Sequence, residues 1–429
     1  MSDLTPTAEK TNGPTYNFYR RRLFDALQRI ERGRLVVTEN GVVSTFGQSD
    51  DALTDSAQAP VAHITIADPV FYREVVLDGA LGAAESYMAD HMRCEDLTAL
   101  VRLFIMNGQA LNGIDGAFSA PKRWLRDAFR FLVRNTRGGS RRNIAAHYDL
   151  GNDLFRLFLD PSMMYSSAVY PDADSSLDSA AEYKNELLCR KLALTPDDHL
   201  LEIGTGWGGF AIKAARDFGC RVTTTTVSEE QYRLATERVE QAGLSDRIRV
   251  LKCDYRDLTG QYNKIVSIEM LEAVGHEYFD TYFEKCSELL HDDGLMCLQT
   301  ITMNEQNYLR ARDHVDFIKK YIFPGGCLPS LGAICQSLGK VSDLNVMHVT
   351  DIASHYARTL RDWSERFSGA LDQVRAQGYD ERFVRMWRYY LHYCEAGFLE
   401  RVIGDVQVVL FKPGNRRAPI IAHNLTGPG

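Results

Sequence analysis

The sequence predicts an α/β protein in which a smaller α+β domain precedes a doubly wound, mostly parallel sheet. Three observations support this prediction. From about residue 145 onward, strand-like and helix-like segments alternate, which is typical of a parallel sheet covered by helices on both faces. One of these strands, in the segment LLEIGTGWGGF (200–210), runs directly into a glycine cluster. A length of 429 residues is also long for one domain.

The N-terminal part, residues 15–112, has the pattern of a small α+β domain. A helix-like segment, 19–33, is followed by two β-rich runs that flank Asn40 and Gly41, a pair typical of two-residue hairpin turns. The segment VAHITIA (61–67) alternates between apolar and polar residues and predicts a third strand. Helix-like segments follow at 69–92 and 97–108.

Residues 113–144 are predicted to form a basic amphipathic linker. Between Trp124 and Val133, apolar residues recur at helical spacing on one face. Eight basic residues face the single acidic Asp127: Lys122, Arg123, Arg126, Arg130, Arg134, Arg137, Arg141 and Arg142. This pattern is typical of a membrane-surface helix, and equally of a solvated helix that packs its apolar stripe on a neighbouring domain.

The third part, residues 145–429, carries the alternating pattern. Strands are predicted at 199–204, 220–228, 248–255, 262–271, 295–303 and 405–413. Helices are predicted at 208–219, 229–243 and 278–294, between those strands.

Composition narrows the class of protein. There is no run of about 18 apolar residues that could span a membrane. The polar N-terminus lacks the apolar core of a signal peptide, so we expect a cytoplasmic protein. Nine cysteines are scattered without a CxxC pair, which argues against a disulfide framework and against a metal site.

The glycine cluster could hold either a phosphate or a ligand without one. No Lys-Ser or Lys-Thr follows the glycines, so a Walker loop is excluded. A nicotinamide cofactor site usually has an acidic residue at the end of the second strand, which binds the ribose. That strand ends here in a run of threonines, 223–226, which argues against a nicotinamide cofactor. Glu202, two residues before Gly204, and Asp254, after the third strand, instead form the pattern of S-adenosylmethionine methyltransferases.

Five separated segments resemble one family of these enzymes. They are 147–170, 269–275 (EMLEAVG), 319–330 (KKYIFPGGCLPS), 355–367 and 385–413, and the likeness begins at about residue 80. Together they are similar to the cyclopropane fatty acid synthases. This resemblance implies a Rossmann-like methyltransferase sheet. It also implies transfer of a methyl or methylene group from S-adenosylmethionine to cis double bonds of phospholipid acyl chains. Because some members of the family produce a methyl or methylene branch instead of a ring, the resemblance does not decide between these products.

The resemblance also implies roles for individual residues. It gives Cys394 and Gln299 catalytic positions, and it implies a bicarbonate ion, acting as base, held by side chains and backbone of Glu272, Tyr356, Ser167 and Ile301. Many members have Cys where this chain has Ser167, and His where it has Gln299. We assign to the cofactor site Tyr165, Ser166, Glu202, Gly204, Thr205, Gly206, Gly208, Thr226, Gln231, Asp254 and Tyr255.

Partners follow from the same resemblance. It implies a lipid-handling N-terminal domain and, with the basic linker, peripheral association with the inner face of a membrane that carries unsaturated acyl chains. A homodimer is compatible with the sequence, and no nucleic-acid partner is expected. Two other classes stay open: a small-molecule N- or O-methyltransferase, and a lipid-binding protein without catalysis.

Overall fold

The computed structural model describes residues 13–47, 59–108, 133, 135–136, 138–139 and 151–420. The strands in that part of the chain are β1 (Arg34–Glu39), β2 (Val42–Gly47), β3 (Val61–Ile66), β4 (Met92–Cys94), β5 (His199–Ile203), β6 (Arg221–Thr226), β7 (Ile248–Lys252), β8 (Tyr262–Ile268), β9 (Leu290–Met303), β10 (Asn345–Asp351) and β11 (Ile403–Phe411). Most of the predicted basic linker, 113–144, lies outside the described residues.

The α-helices are numbered in the same way. They are α1 (Pro14–Leu27), α2 (Val70–Met88), α3 (Leu97–Met106), α4 (Asn152–Arg156), α5 (Leu177–Leu192), α6 (Gly209–Phe218), α7 (Glu229–Gln241), α8 (Phe279–Leu289), α9 (Glu305–Asp313), α10 (Leu331–Val341), α11 (Ala353–Gly369), α12 (Leu371–Ala376) and α13 (Glu381–Leu399).

The chain divides into two compact units. The first takes in the described residues up to 108 together with Leu371–Glu400, and the second takes in the described residues from 133 to Ala370 and from Arg401 onward. The first unit therefore contains α12 and α13, which are distant from its other elements in sequence. The division into 15–112, 113–144 and 145–429 stays a prediction.

The first unit contains a four-stranded sheet in the order β2-β1-β3-β4. The predicted hairpin is present: β1 and β2 pair antiparallel, with Glu39 opposite Val42. Asn40 and Gly41 have φ values of 49° and 80°, the left-handed values that a two-residue turn of this kind requires. Buried residues alternate along β1, so one face of the sheet packs against the helices.

The second unit contains a seven-stranded sheet in the order β10-β11-β9-β8-β5-β6-β7. Strands β5 to β9 are parallel, whereas β11 is antiparallel to β9 and β10 is antiparallel to β11. The prediction of an α/β protein with a mostly parallel sheet is confirmed. The sequence analysis missed β10, an edge strand in which exposed residues dominate, so that no clear alternation marks it.

Two apolar layers enclose the seven-stranded sheet. Leu201 and Ile203 of β5 belong to one cluster of buried residues, with α8 and α10. Leu200 belongs to the other cluster, with α5 and α6. Because side chains of a strand alternate between faces, this buries both faces of the sheet and leaves the carboxyl ends of the parallel strands to carry polar residues.

Among the residues that the structure describes, no helix combines the length and the apolar character needed to cross a bilayer.

Candidate active site

The glycine turn joins β5 to α6. Gly204, Gly206 and Gly208 have φ values of 102°, 51° and 83°, in the region that side chains disfavour. The amides of Gly204 and Thr205 both donate to the carbonyl of Thr225 on β6, which fixes the start of the turn. A methyl group built on Gly206 would meet no described heavy atom within 4 Å. The turn therefore exposes its backbone to open space at Gly206, where a ligand can approach it closely.

Glu202 supports this turn from within the sheet. Its residue is only 2% exposed, and its Oε2 accepts a hydrogen bond of 2.6 Å from Thr224 Oγ1. Thr224 Oγ1 also lies 2.7 Å from Thr205 Oγ1 in the turn. Burial raises the pKa of Glu202 to about 8, although the Thr224 hydrogen bond and the charge of Lys184 oppose that shift. The acid thus connects two strands to the glycine turn.

Four further predicted cofactor residues lie at or after the carboxyl ends of β6 and β7. Thr226 Oγ1 donates to Gln231 Oε1 at 2.7 Å, and both residues are buried. Asp254 accepts two hydrogen bonds from the Arg256 guanidinium, at 2.8 and 2.6 Å. The ring of Tyr255 packs edge-on against Tyr282 with centroids 5.3 Å apart. These residues all lie at the carboxyl edge of the sheet, where parallel sheets bind ligands.

Tyr165 lies in a cluster of aromatic rings. Its ring centroid is 5.2 Å from that of Phe155, 5.3 Å from Trp363 and 6.4 Å from Phe323. Trp363 in turn packs edge-on against Tyr356, at 6.1 Å. The adjacent Ser166 Oγ accepts a hydrogen bond of 2.9 Å from the buried Lys184 Nζ. The segment 165–167 therefore lies between aromatic faces and a group of charged residues.

That charged group centres on Glu269, a residue that the sequence analysis did not select. Its carboxylate accepts hydrogen bonds from Tyr356 Oη at 2.6 Å, from the Ser167 amide at 2.8 Å and from Gln299 Nε2 at 2.8 Å. Glu269 follows β8 with φ of 50°, a left-handed conformation that is unusual for a residue other than glycine. Backbone strain of this kind concentrates at functional sites.

Acidic side chains outnumber basic ones around Glu269. Burial raises the pKa of Glu269, while the hydrogen bonds from Tyr356, Ser167 and Gln299 oppose the rise. Burial likewise raises the pKa of Asp405, helped by the negative charges of Glu269 and Glu272. The compensating cation is Lys184, whose pKa burial lowers to about 8. Burial therefore favours the protonated form of Glu269, whereas its hydrogen bonds and the charge of Lys184 favour the ionised form.

Glu272, the acid that the resemblance selected, is held differently. Its Oε1 accepts hydrogen bonds from the Ile301 amide and, at 2.9 Å, from Thr300 Oγ1. Its Oε2 is buried, and no described residue forms a hydrogen bond with it. Burial raises the pKa of Glu272 to about 8, and the charge of Glu269 adds to the rise. Ile301 therefore contacts Glu272, whereas Ser167, Gln299 and Tyr356 converge on Glu269.

Cys394 lies in the first unit, on α13. It is half-buried, on a helix that is rich in aromatic residues. On the same helix, the rings of Tyr389 and Tyr393 stack with centroids 5.9 Å apart, and those of Trp387 and Tyr390 lie 5.2 Å apart. The catalytic role of Cys394 stays a prediction.

This fold and this glycine turn define the class of S-adenosylmethionine-dependent methyltransferases, and comparison with solved structures agrees. The chain matches the cyclopropane synthase MmaA2 from Mycobacterium tuberculosis with a TM-score of 0.59 and 30% identity, over 63% of this chain and 98% of that one. It matches the mycolic acid cyclopropane synthase CmaA1, solved with SAH and CTAB, with a TM-score of 0.59 and 32% identity, over the same shares of each chain.

Sequence comparison identifies the family. The model of the family described as mycolic acid cyclopropane synthetase matches residues 136–408. The chain is 39% identical to the cyclopropane-fatty-acyl-phospholipid synthase of Escherichia coli, over 81% of this chain and 87% of that protein. It is 38% identical to the tuberculostearic acid methyltransferase UfaA1 of Mycobacterium tuberculosis, over 85% and 87%. This protein belongs to the cyclopropane synthase family.

The residues present fit S-adenosylmethionine. The backbone at Gly206 is open to a ligand, and no lysine stands in the turn to bind phosphate. Polar groups of Thr226, Gln231 and Asp254 lie along the same sheet edge, suited to a ribose and an adenine. The aromatic cluster at Tyr165 supplies faces that attract a positively charged sulfur.

Proposed function

We propose that this protein transfers a one-carbon unit from S-adenosylmethionine to the cis double bond of unsaturated acyl chains in phospholipids, and that the product is a cyclopropane fatty acid. The observation that carries the proposal is the Glu269 carboxylate, held by Tyr356, Ser167 and Gln299 beside a cluster of aromatic rings. The similarity to the phospholipid synthase of Escherichia coli supports the choice of substrate.

The reaction needs a base and a means to stabilise positive charge. When bound, S-adenosylmethionine supplies an electrophilic methyl group on a positively charged sulfur. The π electrons of the alkene would form the new carbon–carbon bond while the methyl–sulfur bond breaks and its electron pair leaves with the neutral thioether, so the acyl chain would become a carbocation. Ring closure then requires that a proton leave the added methyl group, with its bonding electrons forming the third side of the ring.

Glu269 is suited to accept that proton. The residue is half-buried, so part of its surface remains accessible, while burial raises the pKa of its carboxyl group. A raised pKa makes the ionised carboxylate a stronger base than that of an exposed glutamate. Tyr356 and Gln299 fix the carboxylate in one orientation through their hydrogen bonds. We propose that Glu269 does within the protein what the resemblance assigns to a bound bicarbonate.

The aromatic rings are suited to stabilise the carbocation. Tyr165, Trp363 and Tyr356 form a continuous series of ring contacts that ends at the residue bonded to Glu269. Ring faces attract cations, and the attraction strengthens where water is excluded. Trp363 is 1% exposed, so this part of the site is dry. The positive charge would therefore form next to both the rings and the base.

A methyl- or methylene-branched product is the second candidate, because the chain is also similar to a tuberculostearic acid methyltransferase. If a hydride moves from the methyl-bearing carbon to the neighbouring cationic carbon before the proton leaves, loss of the methyl proton to the same base produces a methylene branch (C=CH2) on the acyl chain. A saturated methyl branch needs a further hydride from a reductant. Ring and methylene products both follow from the residues described.

Analysis of host lipids tests this proposal. Expression of the gene in a bacterium that contains monounsaturated phospholipids should add the mass of one CH2 group to those chains. Proton NMR of the extracted lipids should show the upfield signals of a cyclopropane and no olefinic methylene. Olefinic methylene signals in place of the cyclopropane signals would show that the product is the methylene branch. Unchanged lipids, from cells that contain the folded protein, would refute the lipid substrate.

We further propose that the protein binds the membrane surface through the basic segment 122–142. Its eight basic residues suit anionic lipids, since each basic residue near such a surface contributes roughly 1 kcal/mol. Replacing Arg126, Arg130 and Arg134 with Glu should abolish salt-sensitive sedimentation with phosphatidylglycerol vesicles and leave cofactor binding intact. Vesicle binding equal to that of the wild type would refute this role. We also propose that the protein forms a homodimer. Sedimentation velocity, which measures the mass of the particle in solution, tests this.

A further inference from the structure

A continuous line of hydrogen bonds leads from the buried end of α5 to Glu269. Lys191 Nζ donates to Gln407 Oε1 at 2.7 Å. Gln407 Nε2 donates to Gln299 Oε1 at 2.9 Å, and Gln299 Nε2 donates to Glu269 Oε1 at 2.8 Å. Lys191, Gln407 and Gln299 are each 0% exposed, so water does not compete for these bonds. The line crosses from α5 through β11 and β9 to the end of β8.

The chemistry of the first residue fixes the direction of every bond in the line. An ammonium group has three donors and no acceptor, so Gln407 must turn its carbonyl oxygen toward Lys191. The amino group of Gln407 then faces Gln299, which must present its own carbonyl oxygen. As a result the amino group of Gln299 points at Glu269. Without Lys191, either amide could rotate by half a turn and present oxygen to the carboxylate.

This line does not carry the proton away from Glu269. A neutral amide neither takes up nor releases a proton under ordinary conditions, so two glutamines in series do not relay one. Their effect is electrostatic. Two aligned amide dipoles with a cation behind them place the positive end of the line against Glu269, which favours the ionised form of its carboxyl group.

We propose that Lys191 is a positioning residue for the reaction: acting through Gln407 and Gln299, it keeps the Glu269 carboxylate ionised and correctly oriented. This inference rests on the proposed function, in which Glu269 accepts the proton. It goes further by assigning a role to a buried lysine that contacts neither the glycine turn nor the aromatic cluster.

Other titratable groups also face Glu269, and a test must distinguish their effects on its ionisation from the effect of Lys191. Lys184, Asp405, Glu272 and the hydroxyl of Tyr356 surround it from α5, β11, the segment after β8, and α11. Lys184 lies seven residues before Lys191 on α5, so both point from one face of that helix. At its far end, Lys191 Nζ also donates to Thr350 Oγ1 at 2.8 Å, and Thr350 lies 2.7 Å from His348 Nε2.

The pH dependence of kcat/KM tests the inference. The substitution Lys191→Met keeps an unbranched side chain, one heavy atom shorter than lysine, and removes the cation. The acid limb of the profile, measured with vesicles of monounsaturated phosphatidylethanolamine, should move to higher pH by about one unit, a roughly tenfold loss of activity below that limb. The dissociation constant for S-adenosylmethionine should not change. The double variant Lys191→Met/Gln407→Met should move the limb no further, because both substitutions break the same line.

Lys412→Met is the matched control. Lys412 is another buried lysine of the second unit, but it binds Ser287 and Asp343 away from Glu269. The Lys412→Met variant should keep the wild-type pH profile of kcat/KM even if the substitution lowers the stability of the protein. A wild-type acid limb in a folded Lys191→Met protein, or equal shifts in both lysine variants, would overturn the inference.

Glu269→Gln in the same assay separates the two proposals. If Glu269→Gln is inactive while Lys191→Met has the wild-type profile, the positioning role is wrong and the base stands. If Glu269→Gln remains active with the wild-type profile, the base is wrong and the positioning role falls with it.

Discussion

The hydroxyl of Tyr356 donates a hydrogen bond of 2.6 Å to Oε2 of Glu269, although the two residues are 87 positions apart. This bond connects α11 to the end of β8 and places a buried tyrosine against a carboxylate with a raised pKa. The resemblance gives the same tyrosine to a bound ion. In this chain a carboxylate of the protein occupies that hydrogen bond.

The first prediction concerns which acid accepts the proton. Glu269→Gln should lower kcat by about 100- to 10,000-fold, the usual cost of removing a positioned base. Calorimetry should show unchanged binding of S-adenosylmethionine, because Glu269 lies outside the glycine turn. Glu272→Gln is the comparison, and it should lose less activity because its Oε1 binds Ile301 and Thr300. The opposite ranking would return the catalytic role to Glu272.

The second prediction concerns the glycine turn. Gly206→Val should abolish cofactor binding, because its side chain would enter open space above the turn at a φ of 51°. Gly243→Val is a matched control. Gly243 follows α7 with a φ of 67°, and it also has no described heavy atom within 4 Å of an added Cβ. Both substitutions strain the backbone by roughly 1–2 kcal/mol. Calorimetric titration should show lost binding in the first variant alone, and equal loss in both would contradict this site.

The sequence was sufficient to predict features that depend on local patterns. The glycine turn at Gly204 and Gly206 follows from strand periodicity and from conformations that glycine alone adopts easily. The hairpin at Asn40 was predictable for the same reason. Glu202 stood out because its spacing from those glycines is fixed by the end of β5.

The arrangement around Glu269 could not be predicted in this way. Glu269 and Glu272 are three positions apart, and both follow the same strand. Which of them meets Tyr356 depends on the left-handed backbone at Glu269, and nothing in the local pattern requires that conformation. The burial of Lys184 and Lys191 could not be predicted either. A lysine on a helix is ordinarily exposed, whereas both are 0% exposed here.

The third prediction concerns stability and pH. Burial raises the pKa of Glu202 to about 8 from the ordinary value of 4.5, so the folded chain binds this proton more tightly than the unfolded chain does. The associated stability is complete below about pH 4.5 and decreases as pH rises toward 8. Glu202→Gln should therefore lose less free energy of unfolding between about pH 5 and pH 8 than the wild type does. Urea denaturation at both pH values, with exposed Glu237→Gln as the control, measures this. Equal pH dependence in Glu202→Gln and wild type would show that Glu202 does not titrate in this range.

The last prediction is chemical rescue of the base. Since Glu269 occupies the hydrogen bonds of Tyr356 and Ser167, added bicarbonate should not stimulate the wild-type enzyme. Glu269→Gly removes the carboxylate and suits a backbone with φ of 50°, so the variant should fold and be inactive in buffer free of carbon dioxide. Bicarbonate should then restore activity with saturation, because the planar anion can accept the vacated bonds. Tyr356→Phe in the Glu269→Gly background should abolish the rescue by removing one donor, while Glu272→Gln should leave a measurable part of it. Product formation is followed by gas chromatography of the esterified chains, with bicarbonate depleted and then returned. Stimulation of the wild type by bicarbonate would mean that an external ion is the base and that Glu269 only lines its site.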